Sequence, residues 1–279
     1  MKRQIDWIPV LVQCRDSVQR QIAPLIGTLK QQQPDLGIGA GGDPIRQVDL
    51  AAEKAIVNTL ESFGISFTLI SEESGIEEYG GRPCECYVTT DPIDGTTNLL
   101  RGIPFSATSI AISTKQTLNT VFAALVADLN HEVVYTAQKG KGAFLNGKRI
   151  TSSKLTTIDE AVIGLDLNTY RIQKIARQVT SLIENTKHIR HLGANALELC
   201  YVADGKTDAF VDLRGKLRTT DIAAAWLMLK EAGARMVLPS GKTLNAKLSP
   251  KQHVSFIAAG NPQIQEIILD LIRTKKEAK

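Results

Sequence analysis

The sequence predicts an α/β chain, a layered sandwich in which helices and sheets alternate in an α+β arrangement. Two observations carry this. Runs with helical spacing of apolar residues open and close the chain, and short β-branched runs fill the stretches between them. The strand candidates come in groups, three of them in succession across residues 108–136, where purely alternating βα units would separate each from the next. The second half repeats the style of the first without internal repeats, and the alternating groups of strands and helices predict two subdomains split near residues 150–160, 1–155 and 156–279.

The elements follow in order. Over the first ~30 residues Ile8, Val12, Val18, Ile22 and Leu25 fall at roughly helical spacing. The stretch QQQPDLGIGAGGDP is a polar, glycine-rich loop. A second helix is predicted from Ile45 to Phe63, with Val48, Ala52, Ala55, Ile56 and Leu60 inward and Gly64 as its stop. Ser66–Ile70 and 86–90 read as strands, the first ending at Ser71-Glu72-Glu73 and the second at Asp91. Thr108–Thr114, Val121–Ala127 and Val133–Thr136 are β-branched runs with turns at Gly140-Lys141-Gly142 and Asn146-Gly147. The second half offers helices over 170–185 and 194–203 and a strand over 207–213. A helix then opens at Asp221 and stops at Gly233, and a strand Val254–Ala258 and a helix Pro262–Thr274 close the chain.

Composition narrows the function classes. The chain of 279 residues is 43% apolar and 22% charged, with a net charge of +4, an ordinary soluble balance. No window approaches a membrane span. Asp6, Arg15 and Asp16 interrupt the N-terminal apolar patch, which therefore reads as a mature helix and not a signal peptide. Aromatics at 5% leave little for base stacking, so no nucleic-acid partner is expected. Cys14, Cys84, Cys86 and Cys200 form no CxxC pair and read as reduced thiols of a cytoplasmic protein. The basic tail Arg273–Lys279 reads as a frayed end.

The chemistry gathers at acids on element ends. Glu72 and Glu73 follow one strand, Asp91 and Asp94 follow another, and Asp221 stands at a helix start. Ligand sites in α/β sheets lie at the carboxyl ends of strands, so the first four are placed to share a crevice. Crowded carboxylates resist ionisation, and a hard divalent cation such as Mg²⁺ removes the repulsion with oxygen ligands. In Asp91-Pro92-Ile93-Asp94 the proline stiffens the turn, both acids can face one side, and the Ile93 carbonyl lies between them. Gly95-Thr96-Thr97 then offers unpaired N–H groups to a phosphate. Taken singly, each acid has a plainer reading: Asp221 as an N-cap, Glu72-Glu73 as solvated surface, Asp91 as a turn residue. An EF-hand spacing is absent.

The string Asp91-Pro-Ile-Asp-Gly-Thr-Thr-Asn98 resembles the signature of the inositol monophosphatase family of Mg²⁺-dependent, lithium-sensitive phosphatases. Four further segments agree in order. Gly41-Gly-Asp43 to Asp49 looks like the loop acid followed by the helix acid, and Ser71-Glu-Glu-Ser74 like the family's GEES with serine for glycine. His191-Leu-Gly-Ala-Asn-Ala196 resembles the substrate-facing segment. Thr220-Asp221-Ile-Ala-Ala, followed by Glu231-Ala-Gly233, resembles the second signature with threonine for tryptophan. The resemblance spans about residues 5–260. Gly37-Ile-Gly-Ala40, Gly140-Lys-Gly-Ala143 and Asp212-Leu-Arg-Gly-Lys-Leu-Arg218 bring it closer to the archaeal branch, which is similar to both inositol-1-phosphatases and fructose-1,6-bisphosphatases. That branch carries its loop acid two positions earlier, where this chain has Gly41.

The resemblance implies the sugar-phosphatase fold and a phosphoric monoester hydrolase. Glu72, Asp91, Asp94, Asp221 and the Ile93 carbonyl would bind metal, roughly two or three Mg²⁺ ions per site. Asp43, Thr96 and Glu72 would act on the attacking water, and Asp94, Gly95 and Thr96 would hold the phosphate. Ala194 would face substrate. Arg190 and Arg214 are candidates for a second phosphate, as in fructose 1,6-bisphosphate; the alternative is that Arg190, Arg214 and Arg218 are surface charges. His188 and His191 are expected to be structural. Partners would be a small sugar or inositol phosphate and a second copy of the chain, as a homodimer or a dimer of dimers. The alternatives are an inositol-phosphate-only enzyme, a 3′-phosphoadenosine 5′-phosphate phosphatase, and a regulatory member without catalysis. A haloacid-dehalogenase-type reading needs acids separated by one residue and fails on the spacing of Asp91 and Asp94.

Overall fold

The computed structural model describes residues 5–26, 36–81, 83–170 and 172–273. The reading of residues 1–4, the start of the glycine-rich loop and the tail beyond Arg273 fall outside the described residues.

Five layers stack in the order helices, sheet, helices, sheet, helices. The outer helical layer is α1 (Trp7–Ile26) and α2 (Gln47–Ser62). Beneath it lies an eight-stranded sheet made of β1 (Phe67–Ser71), β2 (Gly75–Tyr79), β3 (Cys86–Asp94), β4 (Ala107–Ser113), β5 (Val121–Asp128), β6 (Val134–Gln138), β7 (Gly142–Leu145) and β8 (Lys148–Arg149). Its order is β2-β1-β3-β4-β5-β6-β7-β8, antiparallel except for the parallel β1–β3 pair. The short helix α3 (Thr96–Arg101) follows β3.

The second sheet holds β9 (Val162–Leu165), β10 (His188–Arg190), β11 (Ala209–Arg218), β12 (Arg235–Val237) and β13 (His253–Ala259) in the order β10-β9-β11-β13-β12. Helices α5 (Asn195–Ala203) and α6 (Thr219–Ala232) form the middle layer, and α4 (Gln173–Asn185) and α7 (Pro262–Arg273) the last.

Strand alternation builds this stack. Ala123, Leu125 and Ala127 of β5 face α1 and α2, while Ala124 and Val126 face α5 and α6. Both faces are covered, so the run reads as continuously apolar. The middle core joins Ala111 and Val126 of the first sheet to Phe210 and Phe256 of the second through Ala224, Trp226 and Met228 of α6. The change of sheet falls between Arg149 and Val162, while α5 and α6 pack against both sheets.

Several expectations shift in detail. The buried stripe of α1 is Trp7, Leu11, Cys14, Val18 and Ile22; Ile8, Val12 and Leu25 lie at its half-exposed margin. The five inward residues expected of α2 are all buried. The second strand, expected to stop at Asp91, continues to Asp94 through a register shift against β4. The hairpin strand β2 has no expected counterpart: Glu77 and Glu78 face solvent and hide its period. Helix α6 begins at Thr219, so Asp221 is not its N-cap but its third residue, reaching back to accept the Arg218 N–H at 2.9 Å. The four cysteines are unpaired, and no helix among the described residues is long and apolar enough to cross a membrane.

Candidate active site

A pocket of about 880 Å³ opens where β1, β3, α3 and α6 meet the loop before α2. Parallel pairing of β1 and β3 puts Ser71 opposite Thr90, so Glu72, just past the end of β1, stands beside Asp91 of β3. Asp221 arrives from the first turn of α6. One oxygen from each of Glu72, Asp91 and Asp221 lies within 4.8 Å of the others, and all three residues are buried.

These carboxylates are short of donors. Asp91 Oδ1 is buried and has no hydrogen-bond partner. Glu72 Oε2 stands 2.5 Å from Arg218 Nη2, a charge contact without hydrogen-bond alignment. Burial pushes Glu72 up to about 8, with the neighbouring Arg218 opposing and Asp221 adding to the rise. Burial, then the charges of Glu72, Asp94 and Asp221, hold Asp91 well above the usual carboxylate range. An orphaned buried oxygen in an all-oxygen donor set fits a hard divalent cation, whose charge would reverse these shifts.

Asp94 is engaged differently. Its carboxylate accepts the N–H groups of Asn195 at 2.9 Å, Ala196 at 2.7 Å and Leu197 at 3.4 Å, at the start of α5. Burial raises it to about 7 against those hydrogen bonds. It lines the pocket but lies outside the group formed by Glu72, Asp91 and Asp221.

Thr96 Oγ1 lies 2.9 Å from the Ile93 carbonyl and 3.2 Å from Asp49 Oδ1. Asp49 is buried on α2 and is raised by that burial to about 7. The expected partner of Thr96, Asp43, is not beside it. Asp43 is largely exposed on the loop, where Arg218 Nη1 donates to its Oδ2 at 2.8 Å. Charge explains the placement: Arg218 is the cation nearest the acid group and draws the loop acid to itself. The pairing of Asp49 was missed as such, though a signal existed. Asp49 shares its helix face with Ala52, Glu53 and Ile56, all buried, and an acid on such a face has a reason to be there.

Gly95 is the hinge of this region. Its φ of 84° lies in the left-handed region, and a Cβ there would meet Ala194 Cβ at 3.0 Å and the Phe105 carbonyl at 3.1 Å. Ala194, expected to face substrate, is instead buried against that glycine. Asn98 locks the two loops, donating to the Phe105 carbonyl at 2.8 Å and the Leu192 carbonyl at 2.7 Å.

The opposite wall holds Asp166, Asn168, His191 and Arg214. Arg214 is not a surface charge: its side chain is 6% exposed and pairs with both Asp166 and Asp212. Its Nη1 donates to the Asn168 carbonyl at 3.0 Å. His191 Nε2 lies 2.7 Å from Asn168 Nδ2. Arg190 is exposed, donates to its own neighbour's carbonyl, Ile189 O, at 2.9 Å, and does not line the pocket. Arg218, at 13% exposure, is likewise no surface charge.

Comparison with known proteins agrees with this geometry. A family model described as the inositol monophosphatase family matches residues 16–277. A fructose-1,6-bisphosphatase/inositol-1-monophosphatase of Methanothermobacter thermautotrophicus is 38% identical over 275 residues, covering 95% of this chain and 96% of that protein. A bifunctional NADP phosphatase/NAD kinase of Methanocaldococcus jannaschii is 32% identical, and the match covers 88% of this chain but 46% of that longer protein. A solved inositol monophosphatase–fructose 1,6-bisphosphatase structure superposes with a TM-score of 0.84 at 31% identity, covering 96% of this chain and all of the other.

Proposed function

This chain belongs to the inositol monophosphatase family and is a phosphoric monoester hydrolase, and from that premise we propose that it hydrolyses fructose 1,6-bisphosphate and inositol 1-phosphate with Mg²⁺, by direct attack of water on the phosphorus. The observation that carries the reading is the buried oxygen group of Glu72, Asp91 and Asp221 with its unpartnered Asp91 Oδ1. Glu72, Asp91, Asp221 and the Ile93 carbonyl would hold the ions, with the remaining lone pairs of Asp94 available to a further one. Bound divalent cations supply Lewis-acid polarisation of the ester, a lowered pKa for water and neutralisation of the leaving oxygen.

The protein's own part is positioning and proton handling. Gly95 and Thr96 would cradle the phosphate at the turn that Gly95 makes possible. The Thr96 hydroxyl, donating to Asp49, keeps a lone pair for the attacking water. Asp49, raised toward neutrality by burial, takes the displaced proton through Thr96. Asp43 is assigned to closing the pocket from the loop and not to the proton path. The water attacks in line, the P–O ester bond breaks, the leaving oxygen takes a proton from solvent, and inorganic phosphate and the alcohol leave with no covalent phosphoenzyme.

The wall of Asp166, Asn168, His191 and Arg214 presents acceptors and donors to sugar hydroxyls. Fructose 1,6-bisphosphate is placed first because the most similar relative described above acts on it by name. Removal of a phosphate from NADP is the second reading, favoured by the NADP phosphatase relative. Phosphate release with Mg²⁺, compared as kcat/KM for fructose 1,6-bisphosphate, inositol 1-phosphate and NADP, tests the assignment. The first two within about tenfold of each other and well above NADP is the expected result. Turnover of NADP alone would overturn the substrate assignment and leave the phosphatase standing.

A further inference from the structure

Arg218 joins the side chains of the acid group to the loop before α2. Its Nη2 contacts Glu72 Oε2 at 2.5 Å and its Nε contacts Asp221 Oδ1 at 3.2 Å. Its Nη1 faces away from them, donating to Asp43 Oδ2 at 2.8 Å and to the Gly41 carbonyl at 3.3 Å. One guanidinium therefore holds three carboxylates from three segments, and the side chain is 13% exposed. A planar fork of five donors suits this; a lysine cannot span it.

The loop is shaped to admit that guanidinium. A Cβ on Gly41 would collide with Arg218 Nη1 and would come within 3.1 Å of Glu72 Cβ. The φ of Gly41 is not in the left-handed region, so the glycine is required here for room and not for backbone freedom. The loop is also pinned by its backbone: Ala40 N–H donates to the Glu73 carbonyl at 3.0 Å and Gly41 N–H to the Glu72 carbonyl at 2.7 Å. Glu72 is thus tied to the loop through its main chain and, by way of Arg218, through its side chain.

Two of the three acids that would hold a divalent cation, Glu72 and Asp221, each have an oxygen that Arg218 already contacts. A fixed positive charge a few ångströms from a doubly charged ion opposes its binding by Coulomb repulsion. We propose that Arg218 is a positioning residue that serves as the internal counter-ion of the acid group, and that a divalent cation displaces it from Glu72 and so loosens the loop carrying Asp43. Metal loading and loop opening are then one equilibrium, because the same guanidinium takes part in both. This rests on the acid group binding a divalent cation, as proposed above.

The test is calorimetric titration of Mg²⁺ into the full-length protein, paired with amide hydrogen exchange across residues 37–46. Wild type should bind Mg²⁺ and lose protection at Ala40 and Gly41 as it does. Arg218→Ala should bind Mg²⁺ about tenfold more tightly, with those amides exchanging fast whether or not Mg²⁺ is present. Arg218→Lys should fall between the two. Gly41→Ala, which keeps the charge but takes the space, should move in the same direction as Arg218→Ala and decides the question if that variant does not fold. Unchanged or weaker Mg²⁺ binding in Arg218→Ala and Gly41→Ala, or loop protection indifferent to Mg²⁺ in wild type, overturns the proposal. Absence of Mg²⁺ binding to wild type overturns the metal-site reading itself, a different result from either.

Discussion

The two walls of the pocket are built from the same materials and differ in how they are balanced. On the far wall two buried acids, Asp166 and Asp212, share Arg214, and backbone N–H groups of Asn168 and Arg214 complete them at 2.9 and 2.8 Å. On the near wall Glu72, Asp91 and Asp221 also meet one arginine, and burial raises Glu72 and Asp91 there as it raises Asp166 opposite. Yet Asp91 Oδ1 has no hydrogen-bond partner, while Asp166 and Asp212 are completed. A satisfied cluster is scaffold and a recognition surface. An unsatisfied cluster of buried carboxylates is a request for charge. Under the proposed function, the difference separates the wall that would shape the substrate from the wall that would do the chemistry.

The largest effect that would sharpen this contrast is Asp91→Asn. It should cut Mg²⁺-dependent kcat by about 100-fold or more, with circular dichroism and melting near wild type, because the lost charge is one the fold does not use. The reverse holds across the pocket. Arg214→Ala leaves Asp166 and Asp212 uncompensated and should cost about 3–5 kcal/mol in a denaturant titration; a cost below about 1 kcal/mol would break the distinction between the walls. Thr96→Ala should lower kcat by roughly 10²-fold, with KM little changed, as expected for a group that handles the water's proton.

A smaller effect concerns pH. Glu72 and Glu73 are raised to about 8, and Asp49 and Asp94 to about 7, each chiefly by burial. In the absence of divalent cations the folded state therefore binds more protons than the unfolded chain between about pH 4 and 8, so stability falls as pH rises through that window. Melting without metal should drop by at least about 5 °C from pH 6 to 8.5, since even one group raised to about 8 contributes on the order of 2–3 kcal/mol over that window and 1 kcal/mol shifts a domain of this size by about 2–4 °C. Saturating Mg²⁺ should flatten the curve. A melting temperature that rises with pH in EDTA would contradict the burial argument.

The sequence made the near wall readable and the far wall nearly opaque, for a physical reason. Glu72 and Asp221 sit at element ends and Asp91 where the pairing of β3 slips, places where the regular period stops and an acid stands out against apolar neighbours. Asp166, Asp212 and Arg214 come together only through pairing of β9 with β11 and a register shift in β11 after Asp212, which no local pattern announces. Arg214 was visible as a candidate, but its two acid partners were not. Arg190 looked equivalent to it in one dimension, yet its strand lies at the sheet edge and sends the side chain to solvent. The layers were legible from apolar spacing in α2 and β5; the continuation of β3 to Asp94 was not, since Pro92 reads as a stop and here sits within a bulge. Asp43 and Asp49 show the same limit: both are acids near one loop, and only the fold tells which reaches Thr96.

The most direct measurement is phosphate release from fructose 1,6-bisphosphate by wild type and Asp91→Asn, each with Mg²⁺ and with EDTA. Release by wild type that needs Mg²⁺ and falls below a tenth in the variant is the predicted result. Release that survives EDTA, or a variant that keeps more than a tenth of wild-type kcat, would contradict the metal role of the near wall.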